Sequence, residues 1–521
     1  MRKSLPLLFV SLLTPFVMLA QEAEKGWDQL INEKFQPITD AVAGVVFYAI
    51  QLGDSAATSM PLVIIMLLTG ATIFTLYFRF IQFTGFRAAI DTVRGKYSNP
   101  DDEGEVSHFQ ALTAALSGTV GLGNIAGVAI AVSIGGPGAT FWMILAGLLG
   151  MASKFTECTL GVKYRDVGAD GTVYGGPMYY LVKGLKEKRM AGLGKILAVF
   201  FAVMCIGGSF GGGNMFQANQ AAQQFNAMIG ATSGSSGLVF GFIMAFVVAL
   251  VIIGGIKRIG SVTERIVPFM CGIYVFAALI IVLGHVSYIP KAFSLIVSGA
   301  FTASGIAGGF VGVLVQGFRR AAFSNEAGVG SAAIAHSAVR TEYPASEGIV
   351  ALLEPFIDTV VVCTMTALVI VIYNMDGHFV YSDVVNNNVL ISATSERVGG
   401  VTLTSMAFAD VIPWFPYILT IAVVLFAFST MLSWSYYGLQ SWLFLFGRTK
   451  IADYTYKILF CLFVILGSAA SLGAVTDFSD AMIFAMAVPN LIGLVLLLPV
   501  VRKEVNRYLG GIRSGEIKSY K

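Results

Sequence analysis

The chain has 521 residues, 56% of them hydrophobic and only 12% charged, with a mean hydropathy of +0.78. Soluble domains carry about 25% charged residues, so most of this chain belongs in lipid. A net charge of +3 argues against a nucleic-acid partner, and five cysteines scattered singly, with no CxxC pair, suggest neither a disulfide framework nor a structural metal site.

Residues 1–20, Met1-Arg2-Lys3 and then an apolar run to Ala20, read as a secretory signal peptide or an uncleaved anchor. On either reading the segment 21–60 lies outside the cytoplasm. A peripheral transmembrane helix follows over 61–83. Further windows of about 20 apolar residues fall at 109–133, 138–162, 193–213, 237–255, 263–285, 293–318, 347–373, 413–437, 456–475 and 479–501, which makes eleven spans. The long loops 163–192 and 374–412 are plain connections or hold short interfacial helices, with Met178–Gly184 and Ser405–Asp410 as candidates.

Lys and Arg crowd alternate loops, which places those loops inside. They include Arg87, Arg94 and Lys96; Lys163 to Arg189; Lys257 and Arg258; Arg319, Arg320 and Arg340; and the cytoplasmic tail 502–521. The opposite loops hold Lys291, Arg397 and almost nothing else. The N-terminus is therefore expected outside, the C-terminus in the cytoplasm, and the chain in the inner (plasma) membrane.

One span is interrupted by glycine. Residues 117–127 read SGTVGLGNIAG, and each Gly inside a helix costs about 1 kcal/mol relative to Ala. A span that unwinds in lipid is tolerated only where it is buried in protein or lines a polar cavity. A second Gly-rich stretch, 304–317, opens the latter half with Gly305, Gly308, Gly309 and Gly312. The two halves, 109–285 and 293–501, would have opposite topology, and paired interruptions of that kind point to a transporter site between inverted repeats. Close packing of small residues also produces Gly-rich spans.

These motifs carry a resemblance. VGLGN at 120–124 is similar to the unwound first core helix of the neurotransmitter:sodium symporters, whose fold is a five-plus-five inverted repeat. The whole chain resembles the alanine/glycine:cation symporter family, through GTVGLGNIAGVA (118–129), GGPGATFWM (135–143), GNMFQAN (213–219), AAFSNEAGVGSA (321–332), EPFIDTVVVCTMTAL (354–368) and STMLSWSYYG (429–438). The resemblance implies an all-α polytopic membrane protein of eleven helices, ten of them in the repeat, with broken first and sixth core helices. It also implies symport of alanine or glycine with sodium by alternating access.

Peptide N–H groups freed at Gly121–Asn124 suit a carboxylate at the positive end of a half-helix. The resemblance assigns carboxylate binding to Leu122 and Gly123. It places Thr119 and Asn124 beside sodium and substrate, with the Val120 carbonyl as a further ion ligand. Gly308 and Phe310 would form the facing wall. Thr430 and Trp434 share a helix face, and the resemblance puts them in the amino-acid pocket, Trp434 limiting side-chain size. Ser429 would complete the sodium site, unless these hydroxyls merely bond their own i−4 carbonyls. Gln217 is placed near the substrate, or is an amide packed between helices.

Intramembrane charges default to function. Lys154 and Glu157, three apart, suit a structural pair or gate. Glu354 and Asp358 share a face at i, i+4, and Asp358 binds cation, shuttles a proton or is held by neighbouring hydroxyls. Arg319 and Arg320 with Glu326 would close the cytoplasmic side through ion pairs, or serve topology alone. His108, His285, His336 and His378 look isolated. No HExxH or Walker A motif occurs, so enzyme chemistry and ATP coupling find no support. No obligatory protein partner is evident. The rival readings are a proton-coupled symporter, a channel and a non-transporting amino-acid sensor.

Overall fold

The computed structural model describes residues 27–51, 59–230, 234–301, 309–470 and 472–520. The signal segment 1–20, and Gly305 and Gly308 of the second Gly-rich stretch, lie outside the described residues.

Helix dominates. α1 (Trp27–Val46) precedes α2 (Leu62–Tyr77), and the strands β1 (Ala49–Gln51) and β2 (Ser59–Pro61) pair between them. α3 (His108–Thr119) opens on a capping box in which Ser107 accepts from the Gln110 N–H and Gln110 accepts in return. It meets α4 (Gly123–Gly135) at a 49° bend. α5 (Gly138–Lys163) follows, then the small hairpin β3 (Asp166–Val167) and β4 (Val173–Tyr174). α6 (Pro177–Glu187) covers the expected Met178–Gly184, leading to α7 (Ala191–Ile229), α8 (Gly234–Ile252), α9 (Gly255–Gly284) and α10 (Ile289–Phe301). α11 (Gly309–Asn325) and the single turn α12 (Ala332–His336) are separate helices. α13 (Pro344–Asp376) leads into an antiparallel sheet, β5 (Phe379–Val385), β6 (Asn388–Ile391) and β7 (Arg397–Gly399), within the loop that had been expected to hold only a short helix. α14 (Gly400–Ala409), α15 (Phe415–Phe446), α16 (Lys450–Ala469) and α17 (Leu472–Ser514) complete the chain.

Among the described residues, seven helices are long and apolar enough to cross a membrane, or eight with the bent α3/α4 pair counted as one span. Length explains the shortfall of three from eleven: α2 has 16 residues, α10 has 13, and the apolar part of α8 (Ser236–Ile252) is also short, against about 20 for a straight crossing. α8 and α9 turn Phe242, Phe246, Phe269 and Phe276 outward as exposed side chains. That apolar outer wall suits lipid.

The bundle has two distinguishable ends. At one end, the hairpin end, the β5–β6 hairpin covers the end of α4, where the Ser382 hydroxyl donates to the Ile134 carbonyl at 3.0 Å. At the tail end Val106 pairs with Val339, and the Tyr520 N–H reaches the Lys96 carbonyl. Between the ends the helices pack around small residues and a buried polar centre.

Candidate functional site

The polar centre forms where α3 stops. Val120 leaves the helical region, with φ −75° and ψ 86°, and Gly123–Gly127 resume as a π-turn. Two backbone donors exposed by this interruption are taken by side chains. The Gly121 N–H donates to Asn124 Oδ1 at 2.8 Å, and the Leu122 N–H donates to Gln217 Oε1 at 3.1 Å. Thus the Gly121 and Leu122 N–H groups, expected to be free for a carboxylate, are capped by the side chains of Asn124 and Gln217. Gln217 is brought there by a second π-turn, Gly211–Met215 within α7, and its own amide donates to the Gly212 carbonyl at 2.9 Å. Thr430, on α15, lies against Gly121, where an added Cβ would collide with its hydroxyl. The Thr430 hydroxyl is buried and has no hydrogen-bond partner among the described residues.

Asn124 also faces the other way. Its Nδ2 donates to Asp358 Oδ1 at 2.6 Å, to the Asp358 carbonyl at 3.1 Å and to Cys363 Sγ at 3.3 Å. Ser324 and Thr359 donate to Asp358 Oδ2 at 3.0 and 2.6 Å. Asp358 is fully buried, and its hydrogen-bond partners are all neutral. A π-turn over Phe356–Cys363 separates it from Glu354, so the two acids, expected on one face, point to different partners.

A second interruption faces the first, at 326–331 between α11 and α12, and sequence reading missed it. Glu326, Gly328 and Gly330 take left-handed φ values of 55°, 84° and 98°. In the Gly-rich stretch that had been expected to break, Gly309 takes a left-handed φ of 56° and the chain is helical from there through Asn325. Phe310 accordingly sits away from the centre, 38% exposed, against Phe301 and Trp142. Glu326 accepts from Trp434 Nε1 at 2.9 Å and from the Ser331 hydroxyl. Trp434 lies flat on Gly213, where any Cβ would overlap it. Gly121, Asn124, Gln217, Thr430 and Trp434 are thus gathered around one buried centre.

Other expected ligands turn elsewhere. The Thr119 hydroxyl donates to the Ala115 carbonyl at 3.3 Å, and Ser429 donates to the Phe426 carbonyl at 3.0 Å. Both satisfy their own helices, as short hydroxyl side chains in apolar helices commonly do. Arg319 and Arg320 do not pair with Glu326. Both bind Asp480 at the start of α17, Arg319 Nε at 2.8 Å, while Arg319 covers the Phe47 ring. Because α11 continues to Asn325, these arginines are helix residues towards the hairpin end and not part of a cytoplasmic loop. Phe323, beneath Arg320, closes over Gly123 and Gly212. Lys154 is nearer to Glu354, at 3.0 Å, than to Glu157, at 3.8 Å.

Two interrupted helices facing each other around a buried polar centre, within a bundle of membrane-length helices, define a secondary transporter of the broken-helix class. The comparisons narrow this. The model of the sodium:alanine symporter family matches residues 46–521. The sodium/alanine symporter AgcS of Methanococcus maripaludis is 41% identical over 460 residues, covering 88% of this chain and 96% of the relative. The probable sodium/glutamine symporter GlnT of Bacillus subtilis is 32% identical over 458 residues, covering 87% and 89%. Among solved structures, MhsT in complex with L-phenylalanine superposes with a TM-score of 0.50 at 15% identity, covering 77% of this chain and 99% of that one, which shows a shared fold. The chain belongs to the sodium:alanine symporter family, whose members are transporters and not enzymes.

Proposed function

We propose that this protein imports a small neutral amino acid, alanine or glycine, together with sodium, by alternating access in the inner membrane. In this reading the chain crosses eleven times, with the N-terminus outside and the C-terminus and tail end in the cytoplasm. Residues 109–285 and 293–501 form the five-plus-five inverted repeat, each carrying one of the two interruptions. The observation that carries the reading is Asp358. It is a fully buried carboxylate bonded only to neutral donors, at the crossing of both interrupted helices.

Sodium takes hard oxygen ligands; Asp358, Ser324 and Thr359 offer them together, and the Asn124 carbonyl joins them once the amide turns from Gly121. The substrate carboxylate displaces Gln217 from the Leu122 N–H and meets the Thr430 hydroxyl. Trp434, fixed by Glu326, limits the side chain, which favours alanine or glycine over larger residues. Sodium occupancy frees the Asn124 carbonyl from Gly121 and so prepares the carboxylate site. The Arg319–Arg320–Asp480 cluster and Phe323 close the hairpin end.

The energetics suffice for accumulation. One charge crossing about 100 mV contributes about 2.3 kcal/mol, and a tenfold ion gradient adds about 1.4 kcal/mol. The test is radiolabelled L-alanine uptake into proteoliposomes with and without an inward sodium gradient. Sodium-driven accumulation is expected. Accumulation that follows a pH gradient at fixed sodium would instead assign Asp358 to proton coupling.

A further inference from the structure

Below the substrate centre the bundle buries a second group of ionisable side chains, which the mechanism above does not use. His108 and His336, solitary in the sequence, converge on one carboxylate, Glu347. His336 Nδ1 lies 2.5 Å from Glu347 Oε1, and His108 Nδ1 bonds the other oxygen, Oε2. The opposite nitrogen of His336, Nε2, lies 3.4 Å from Glu354 Oε2. Glu354 in turn holds Lys154, beside Glu157. His336, Glu347, Glu354, Lys154 and Glu157 are all completely buried, and His108 nearly so.

The hydrogen count decides what this group binds. A neutral imidazole has one N–H donor and one bare acceptor nitrogen. His336 presents both nitrogens to carboxylate oxygens, which have no proton to give when ionised. One extra proton is therefore required, on the second nitrogen of His336 or on a facing carboxyl oxygen. Charge balance agrees. Glu157 and Glu354 share one lysine, Glu347 is bound by the two histidines, and Glu157 Oε1 is buried with no hydrogen-bond partner among the described residues. The other ionisable neighbours are Arg165 and Tyr508 around Glu347, Cys158 and Glu326 around Lys154, Tyr180 around Glu157, and Tyr437 and Asp358 around Glu354. Only Arg165 among them is a cation, and its guanidinium is spent on the carbonyls of Glu103, Ser337, Val339 and Thr341.

The group joins moving parts. His108 begins α3, the arm of the first interrupted helix at the tail end. His336 ends α12, the corresponding arm of the second. Glu347 and Glu354 lie on α13, and Lys154 and Glu157 on α5. Opening the tail end separates α3 and α12 from α13 and admits water to both carboxylates.

We infer that the His108–Glu347–His336–Glu354 cluster is a proton-binding site that holds at least one proton while the tail end is closed and releases it to water when that end opens. Because the closed form binds more protons, acid on the tail side favours closure, and alkali favours opening. The proton leaves and returns on the same side. It therefore sets the opening equilibrium of the cycle and adds no driving ion.

The proton is visible directly. The chain has four histidines, so the full-length protein, with 15N-labelled histidine, in lipid nanodiscs with sodium chloride, gives an assignable imidazole nitrogen spectrum. The spectrum is recorded at about pH 8.5, two units above the ordinary histidine value of about 6.5. The His336 signal is expected to remain doubly protonated, or a protonated-carboxyl infrared band is expected in its place, and either is lost in His336→Gln. If every imidazole is singly protonated and no protonated carboxyl is seen, the proposal is wrong. Should His336→Gln not fold, His285→Gln and His378→Gln assign the spectrum by elimination. A second arm rests on the transport reading: an acidic lumen facing the tail end is expected to slow sodium-driven uptake in wild type severalfold and to leave His336→Gln unaffected. Equal slowing in both would overturn the coupling to access. The spectrum does not depend on transport, so the two readings fail separately.

Discussion

At the first interruption, no residue from Val120 to Gly127 enters the left-handed region of backbone space, whereas at the second Glu326, Gly328 and Gly330 all do. The first has four glycines within 118–127, yet no left-handed backbone requires them. Two of them give room, to the Tyr437 hydroxyl at Gly118 and to Thr430 and Gln217 at Gly121. The second has two glycines and uses both for conformation. A glycine therefore carries different information in the two places, space in one and handedness in the other. The first is held by amide side chains that a ligand can displace, while the second is held by its own backbone and by Glu326.

The strongest way to break the comparison is Asn124→Ala. It strips a partner from both the Gly121 N–H and Asp358, at about 1–3 kcal/mol for each buried group left unpaired. Sodium-driven alanine uptake is expected to vanish. Glutamine titration of the second interruption, Glu326→Gln, is expected to keep uptake, since an amide oxygen still accepts from Trp434.

Gly121→Ala is next. Overpacking against Thr430 is expected to cost about 1–3 kcal/mol, read as a lower Tm in detergent. Thr430→Ala in the same chain is expected to recover much of that stability, because the closest obstacle is its hydroxyl. Gly328→Ala is expected to cost about 1–2 kcal/mol for its handedness. Its nearest obstacle is only the flexible end of Leu67 at 3.1 Å, so Leu67→Ala would give no rescue. Gly127→Ala has open space and an ordinary φ, and a change within about 1 kcal/mol is expected. A large loss there would show that the first interruption does need its glycines for backbone freedom.

The smallest effect lies outside both interruptions. Burial opposes the charge on Asp166, but Lys183 and Arg448 outweigh it and hold this carboxyl below the usual carboxylate range. Its folded value is the depressed one, so its stabilisation is complete above about pH 4 and fades as pH falls through that lower value. Asp166→Asn is expected to cost less than about 1 kcal/mol at neutral pH, with uptake unchanged.

Much of the frame could be read from the residues. Apolar windows located the helices, and SGTVGLGN located the first interruption. Asn124, Gln217, Thr430 and Trp434, singled out by the family resemblance, lie around one buried centre. The second interruption was hidden because glycine density led to 304–317, while the operative pattern was Glu326-x-Gly328-x-Gly330. Density measures helix propensity, and left-handed turns need only one glycine at the right place. Arg319 and Arg320 looked like loop charges because the apolar window ends at 318, but packing against Asp480 extends the helix past them. The Glu347 cluster had no local signal at all, since His108 lies 239 residues away in the chain.

Cys363 gives the buried centre a clock. Its thiol sits 3.3 Å from the Asn124 amide and 3.4 Å from the Ser324 hydroxyl, and it is 1% exposed. A thiol reagent added from solution therefore reaches it only during excursions in which the two interrupted helices part. The rate of alkylation at Cys363 then counts those excursions, and the change in that rate on adding sodium or alanine measures how far each solute holds the centre shut.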